Sequence, residues 1–474
     1  MTFIQVEFLW LMMAVFATYW MLPKRWMQNA LLVAVSAIFY GWVHPWFLIL
    51  LYSSAVLDYN VALKMRSQPD RKKLFLMISM AGNLGMLGYF KYVDFFIGNF
   101  IAIFETLGVE TSMHTLGVFL PVGISFYTFQ TMSYSIDVYR GEIEPRKNFL
   151  DYVTFVSFFP QLVAGPVERA GNLLAQVEAN RTFSWLMVRS GLTLALWGAT
   201  KKVLCADTIA PYVDKVFVLQ DPSGPMIWAA TLGFAIQILA DFSGYTDIAR
   251  GVARMLGFDL VLNFDNPYIS RNPSDFWRRW HISFSTWIRD YIYIPVGGSR
   301  GGFARATRST FIAMVLSGLW HGAAWTFVLW GAYHAALLTG YRLVTRRIPK
   351  SIRDLKLGAA PVGDWVAIAI MFGFTLVGWL IFRETHIDRL MHYFTLTPWV
   401  ATPEQWTVTW VILGMCGLSS LPLLAGLLWD KWLGPKVAKT EWYLPAQTVG
   451  WALAVAAIYV FHRDVGNDFI YFQF

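Results

Sequence analysis

The stretch Asp275–Gly302, DFWRRWHISFSTWIRDYIYIPVGGSRGG, decides how this chain is read. It sets arginines, aromatic rings and a histidine side by side in a sequence that is otherwise strongly apolar. An arginine, lysine or aspartate at the bilayer centre costs about 2.5–3.5 kcal/mol on insertion scales. A cluster this dense belongs at a membrane surface or in a hydrated cavity, and either place points to function.

The rest of the chain sets that context. Of its 474 residues, 56% are hydrophobic and only 14% charged; soluble domains run at roughly 25% charged. Apolar runs recur along its length: Val6–Leu22, Leu31–Val43, Phe47–Leu63, Leu74–Tyr92, Thr193–Leu204, Ile227–Leu239, Phe311–Leu329, Trp365–Phe382, Val408–Leu428 and Ala446–Phe461. The fold class that follows is an all-α polytopic membrane protein, a single domain over residues 1–474. Because a spanning helix needs roughly 20 apolar residues, we expect about 11 transmembrane helices, with the shorter runs as re-entrant or interfacial helices.

The first run ends in Leu22-Pro23-Lys24-Arg25 with no small-residue cleavage site after it, and reads as a retained span. Cys205 and Cys416 are too few for a disulfide framework and lack metal-ligand spacing, so they read as buried fillers. The net charge of +8 does not imply nucleic acid, because the basic residues are dispersed between apolar runs. Lys64–Lys73 holds five basic residues and one acid, and Arg342–Lys356 six and one. The positive-inside rule places these loops and Trp432–Lys439 in the cytoplasm and the N-terminus outside.

Residues 201–334 carry the densest mixture of charge, aromatics, glycine and proline, and read as the functional core. Taken as one helix, Asp275–Tyr291 gathers Phe276, Trp280, Trp287 and Tyr291 within about 60°, with Trp277 beside them. Arg278 and Arg289 fall opposite, and His281 on the border. The aromatic face fits an interfacial anchor. The basic face, with Arg279, fits donor phosphates or lipid head groups.

A second element is Ser317–Trp325, SGLWHGAAW, where His321 follows Trp320 inside an apolar run. A neutral imidazole there suits a general base acting on a hydroxyl. Gly318 and Gly322 clear one side of the helix for a neighbour. His334, thirteen residues on and about 220° around the same expected helix, reads as structural. A third element, Asp241–Asp247 (DFSGYTD), places Asp241 and Tyr245 just after an apolar run, as a buried ion-pair network or as the lining of a polar tunnel. Asn263–Asn272 is a proline-broken link, tolerated at membrane depth only inside protein or along a cavity. No histidine pair or carboxylate set has metal-ligand spacing.

DFSGYTDIARG, NFDNPY, DFWRRWHIS, RDYIYIPVGG, SGLWHG and the closing FIYFQF, with residues 123–141 and 158–169, resemble the membrane-bound O-acyltransferase superfamily. The chain is most similar to its bacterial alginate O-acetyltransferase branch, and more weakly to the D-alanyl teichoic acid transferase branch. The resemblance implies a ring of membrane helices around a thin core crossed by a tunnel. It places the catalytic histidine at His321 and the second histidine at His281. It also implies acetyl transfer from a cytoplasmic donor, acetyl-CoA, as substrate rather than bound cofactor. The acceptor would be an exported polysaccharide such as alginate or cellulose. An extracytoplasmic hydrolase-like acetyltransferase, polysaccharide-secretion machinery and membrane lipids are the implied partners, and the bacterial inner membrane the location. From the residues alone, a polymer or lipid-linked-sugar transporter and an assembly scaffold stay open as alternatives.

Overall fold

The computed structural model describes residues 1–163, 165–347, 361–462 and 470. Every regular element among them is helical. That is the expected answer to a bilayer, where backbone N–H and C=O groups must be satisfied within the segment. The expected all-α membrane architecture is therefore observed. Six helical stretches are long and apolar enough to cross a membrane: Phe47–Ser67, Pro69–Thr106, Gly224–Met255, Gly363–Arg383, Pro403–Val437 and Tyr443–Phe461. The remaining apolar runs fall in shorter or more polar helices. Residues 348–356 of the second basic loop, and most of FIYFQF, lie outside the described residues.

The chain divides into two compact units, Met1–Ala195 with Thr246–Val261, and Leu196–Tyr245 with Leu262–Phe474. The first contains helices α1 (Val6–Met21), α2 (Arg25–Gly41), α3 (Phe47–Ser67), α4 (Lys72–Leu87), α5 (Val93–Thr106), α6 (Ile124–Arg140), α7 (Phe149–Ser157), α8 (Phe159–Leu162) and α9 (Ala170–Glu178). Its interior is braced by polar contacts. Asp58 of α3 is fully buried and accepts hydrogen bonds from Ser79 and Asn83 of α4 and Ser135 of α6. A buried carboxylate needs such donors, because desolvation is otherwise uncompensated.

Helices α10 (Trp185–Thr200) and α12 (Gly224–Met255) belong in part to each unit. The second unit adds α11 (Asp207–Phe217), α13 (Pro273–Arg279), α14 (Ile282–Ile288), α15 (Phe303–His321), α16 (Trp325–Arg347), α17 (Pro361–Arg383), α18 (Ile387–Thr395) and α19 (Pro403–Leu428). It ends in α20 (Gly434–Val437) and α21 (Tyr443–Phe461). Both cysteines are buried and free.

Two expectations change here. Asp275–Tyr291 is not one helix: α13 stops at Arg279, Trp280 is extended, and His281 caps α14 in the left-handed region. Asn272 caps the start of α13 by accepting from the Asp275 N–H. The break is held by the preceding link, whose Asp265 N–H donates to the Arg279 carbonyl at 3.0 Å while the Ile282 N–H donates to the Asn263 carbonyl at 2.9 Å. The aromatic side chains accordingly pack inward: Phe276, Trp280 and Trp287 are buried in protein and do not form an interfacial belt.

Likewise, Phe311–Leu329 is not one span. The chain turns at Gly322–Ala324, so α15 and α16 form a hairpin. Gly318 faces α16, as its spacing predicts: a Cβ there would meet the Phe327 carbonyl oxygen at 2.0 Å. Gly331 faces α15, where a Cβ would meet the Met314 carbonyl oxygen at 2.3 Å. Replacing Gly331 with alanine should therefore push the helices apart and cost about 1–3 kcal/mol. Gly340→Ala on the same helix meets no atom within 4 Å and should be neutral or stabilising. Thermal unfolding of the two detergent-purified variants checks the contrast.

Candidate functional site

The hairpin and the broken α13–α14 segment bring the two singled-out histidines to one aromatic cluster in the second unit. His321 ends α15 and is 4% exposed. Its ring packs against Phe284 (5.6 Å between centroids), Trp320 (4.9 Å), Trp330 (5.0 Å) and Phe382 (5.2 Å). His281, 1% exposed, packs against Phe242 (4.7 Å), Phe284 (4.9 Å) and Trp320 (5.9 Å). Phe284 and Trp320, themselves stacked at 4.3 Å, thus lie against both imidazoles.

The backbone at His281 is unusual. Its φ of 44° makes it, with Asn266, one of two non-glycine residues with positive φ among the described residues. Such conformations cost on the order of 1–3 kcal/mol and persist where surrounding contacts over-determine them. Here the contact is Asn263. Its side-chain oxygen accepts from the Ser283 N–H at 3.3 Å and the Ser283 hydroxyl at 2.9 Å, and lies 3.0 Å from His281 Nδ1.

His334 is closer to this cluster than a continuous helix predicts. Because α15 and α16 fold back on each other, its ring lies 4.7 Å from Trp330, which also touches His321. Phe276 stacks on it at 5.9 Å and Trp277 meets it edge-on at 5.1 Å. Trp280 sits one layer away, against Phe264, Phe276 and Trp379. These contacts make Trp277 and Trp280 walls of the cluster.

The charged candidates divide. Arg279 is held by Asp265 (3.3 Å) and Asp275 (3.1 Å), and Arg289 by Asp290 (2.6 Å). Their guanidinium groups are already paired with carboxylates. Arg278 is exposed and forms no ion pair among the described residues. Asp241 sits in a buried ion-pair network. Lys202 Nζ lies 2.8 Å from Asp241 and 2.9 Å from Asp207, and the Ile470 N–H donates to the other Asp241 oxygen at 2.7 Å. Lys202 reaches both carboxylates from a π-helical turn, Lys201–Ala206, which inserts an extra residue into the helix. Tyr245, one turn after Asp241, is buried. Asp247–Arg250 pairs as its spacing predicts, at 3.6 Å, within the first unit, whereas Arg254 pairs with Asp259. No group of three or more His, Cys, Asp or Glu side chains among the described residues is placed to hold a metal ion.

Residues 145–377, which contain His281, His321 and most of the rings around them, match the membrane-bound O-acyltransferase family. The chain is also 40% identical over 395 residues to the "Probable alginate O-acetylase AlgI" of Azotobacter vinelandii, covering 82% of this chain and 76% of that protein. The chain belongs to the membrane-bound O-acyltransferase family. It is 33% identical over 419 residues to the peptidoglycan O-acetyltransferase of Helicobacter pylori, covering 82% of this chain and 76% of that protein. A more distant branch is represented by the teichoic acid D-alanyltransferase of Bacillus subtilis, 28% identical over 288 residues, covering 57% of this chain and 69% of that protein. The protein is thus a multi-pass membrane acyltransferase.

Some parts of this acyltransferase's cluster carry little local signal. Asn263 stands at the head of a link whose irregularity is visible in NFDNPY, but nothing in the sequence ties it to His281. Trp330 and Phe382 are ordinary aromatic residues of apolar runs until the tertiary fold sets them on His321. Lys202 was findable in principle, since a lysine inside an apolar run must have a partner.

Removing that lysine should be severe. Lys202→Met leaves Asp207 and Asp241 buried without it and should cost about 3–5 kcal/mol. The exposed Arg278→Gln change should leave stability unaltered. Unfolding midpoints of the purified acyltransferase variants measure the difference.

Proposed function

We propose that this acyltransferase moves acetyl groups from a cytoplasmic donor, acetyl-CoA, for O-acetylation of an exported polysaccharide, from a site in the bacterial inner membrane. The reading is supported by the family and by relatives whose names specify alginate O-acetylation and peptidoglycan O-acetyl transfer. The acceptor class is a hydroxyl-bearing exopolysaccharide such as alginate or cellulose. An extracytoplasmic hydrolase-like acetyltransferase and the polymer-secretion machinery are its partners.

The single observation that carries the chemistry is the convergence of His321 and His281 on Phe284 and Trp320. O-acyl transfer breaks the acetyl–sulfur bond and forms an acetyl–oxygen bond, so the attacking hydroxyl must lose its proton. His321 takes that proton and passes it to the departing thiolate, and the aromatic walls keep bulk water from competing as acceptor. His281 orients the reacting groups. Trp277, Trp280 and Trp320 shape the enclosure, Asp241 and Tyr245 brace its floor, and Arg278 is the basic residue left to meet donor phosphates.

Positioned proton transfer contributes about 10²–10⁴-fold to such reactions. His321→Ala should accordingly reduce alkali-released, polymer-bound acetyl by at least about 10²-fold at unchanged membrane levels of the protein. Unchanged acetyl at equal protein would remove His321 from the chemistry.

A further inference from the structure

The geometry points to Asn263 as a positioning residue for this transfer, holding His281 in the tautomer that carries hydrogen on Nδ1 and keeps Nε2 as an acceptor. The inference rests on the acyl-transfer reading of the histidine pair.

The assignment follows from donor and acceptor inventory. A backbone N–H can only donate, so the Asn263 side-chain atom facing the Ser283 N–H is the oxygen. That same atom lies 3.0 Å from His281 Nδ1, so Nδ1 must supply the hydrogen between them. A neutral imidazole carries one ring hydrogen, which leaves Nε2 with its lone pair. No group among the described residues hydrogen-bonds Nε2, although the atom is buried. In its neutral form His281 therefore accepts a hydrogen bond from a polar reactant and cannot stabilise an oxyanion by donating one.

The grip is more than one bond. The Asn263 carbonyl accepts the Ile282 N–H at 2.9 Å, while its side-chain oxygen serves His281 and Ser283. One residue thus fixes both the left-handed backbone of His281 and the hydrogen on its ring. The groups packed on that ring from α12, the 256–272 link, α14 and α15 are Phe242, Phe264, Phe284 and Trp320, none of them charged. His321, across Phe284 and Trp320, is the titratable side chain that shares these walls. Among these described contacts, the Asn263 oxygen is what selects the tautomer.

The test compares Asn263→Leu, Asn263→Asp and His281→Ala in cells exporting polymer. Polymer-bound acetyl is normalised to membrane protein and followed over a pH series in permeabilised cells. Leucine keeps the branched four-atom shape but cannot accept, and should lower acetylation about 10–100-fold, the usual scale for losing an orienting partner. Aspartate keeps the acceptor and should restore acetylation to within about tenfold of wild type, the margin a retained orienting bond allows. Its added negative charge favours the imidazolium, which cannot accept, so the acid limb of its pH profile should move to higher pH. Unchanged acetylation in Asn263→Leu overturns the proposal. So does an aspartate variant as inactive as leucine with an unmoved acid limb, since a purely structural role predicts that. If Asn263→Leu fails to accumulate, the aspartate profile alone decides. Loss in His281→Ala with activity kept in Asn263→Leu overturns only the Asn263 role. Activity kept in His281→Ala overturns the reading of the histidine pair itself, and this proposal with it.

Discussion

In hydrocarbon, a peptide group with no partner is more costly than almost any side-chain arrangement, so every departure from helix has to be repaid by a specific contact. Two of the second unit's departures from helix are the link before α13 and Trp280–His281. Each departure satisfies the other: Asp265 bonds back to Arg279, and Ile282 to Asn263. The irregular backbone that aims His281 exists because two irregular segments share their hydrogen bonds. The ion pairs of Arg279 with Asp265 and Asp275 tie the same two segments through side chains.

Helix association has a different physical basis here from that in water. Lipid tails are as apolar as leucine, so burial of apolar surface supplies little net drive, and close backbone approach and polar contacts take its place. Both appear where the cluster is assembled. Gly318 and Gly331 let α15 and α16 touch backbone to backbone, which turns a long apolar run into a hairpin and carries His321 back toward α16. Gly244 performs the same service for α12, where a Cβ would meet the Gly198 carbonyl oxygen at 2.7 Å and so part it from the segment bearing Lys202. The Lys202–Asp207–Asp241 contacts then lock that packing. Aromatic rings fill the space around the two imidazoles.

Much of this was legible in the chain itself. Membrane class and helical architecture follow from hydropathy, and His281 and His321 stand out as titratable residues in a strongly apolar chain. Helix packing through Gly318 was readable from spacing, and so was the Asp247–Arg250 pair. The expected continuity of Asp275–Tyr291 and of Phe311–Leu329 was not sound, because periodicity reports which face a residue would take in a helix and is silent on whether the helix continues. The pairing of Arg279 with Asp265 was not readable, because it depends on where the preceding link returns.

By itself, then, the sequence determined the solvent this protein lives in and its helical construction, since each follows from transfer energetics local to a segment. Only the tertiary structure decided that Phe284 and Trp320 lie against both histidines, that Asn263 grips His281, and that Asp241 is spent on Lys202. Those are contacts between residues as far as 39 positions apart, as with Lys202 and Asp241. Distances of that kind are set by how helices meet and where the chain reverses, and no local pattern encodes them.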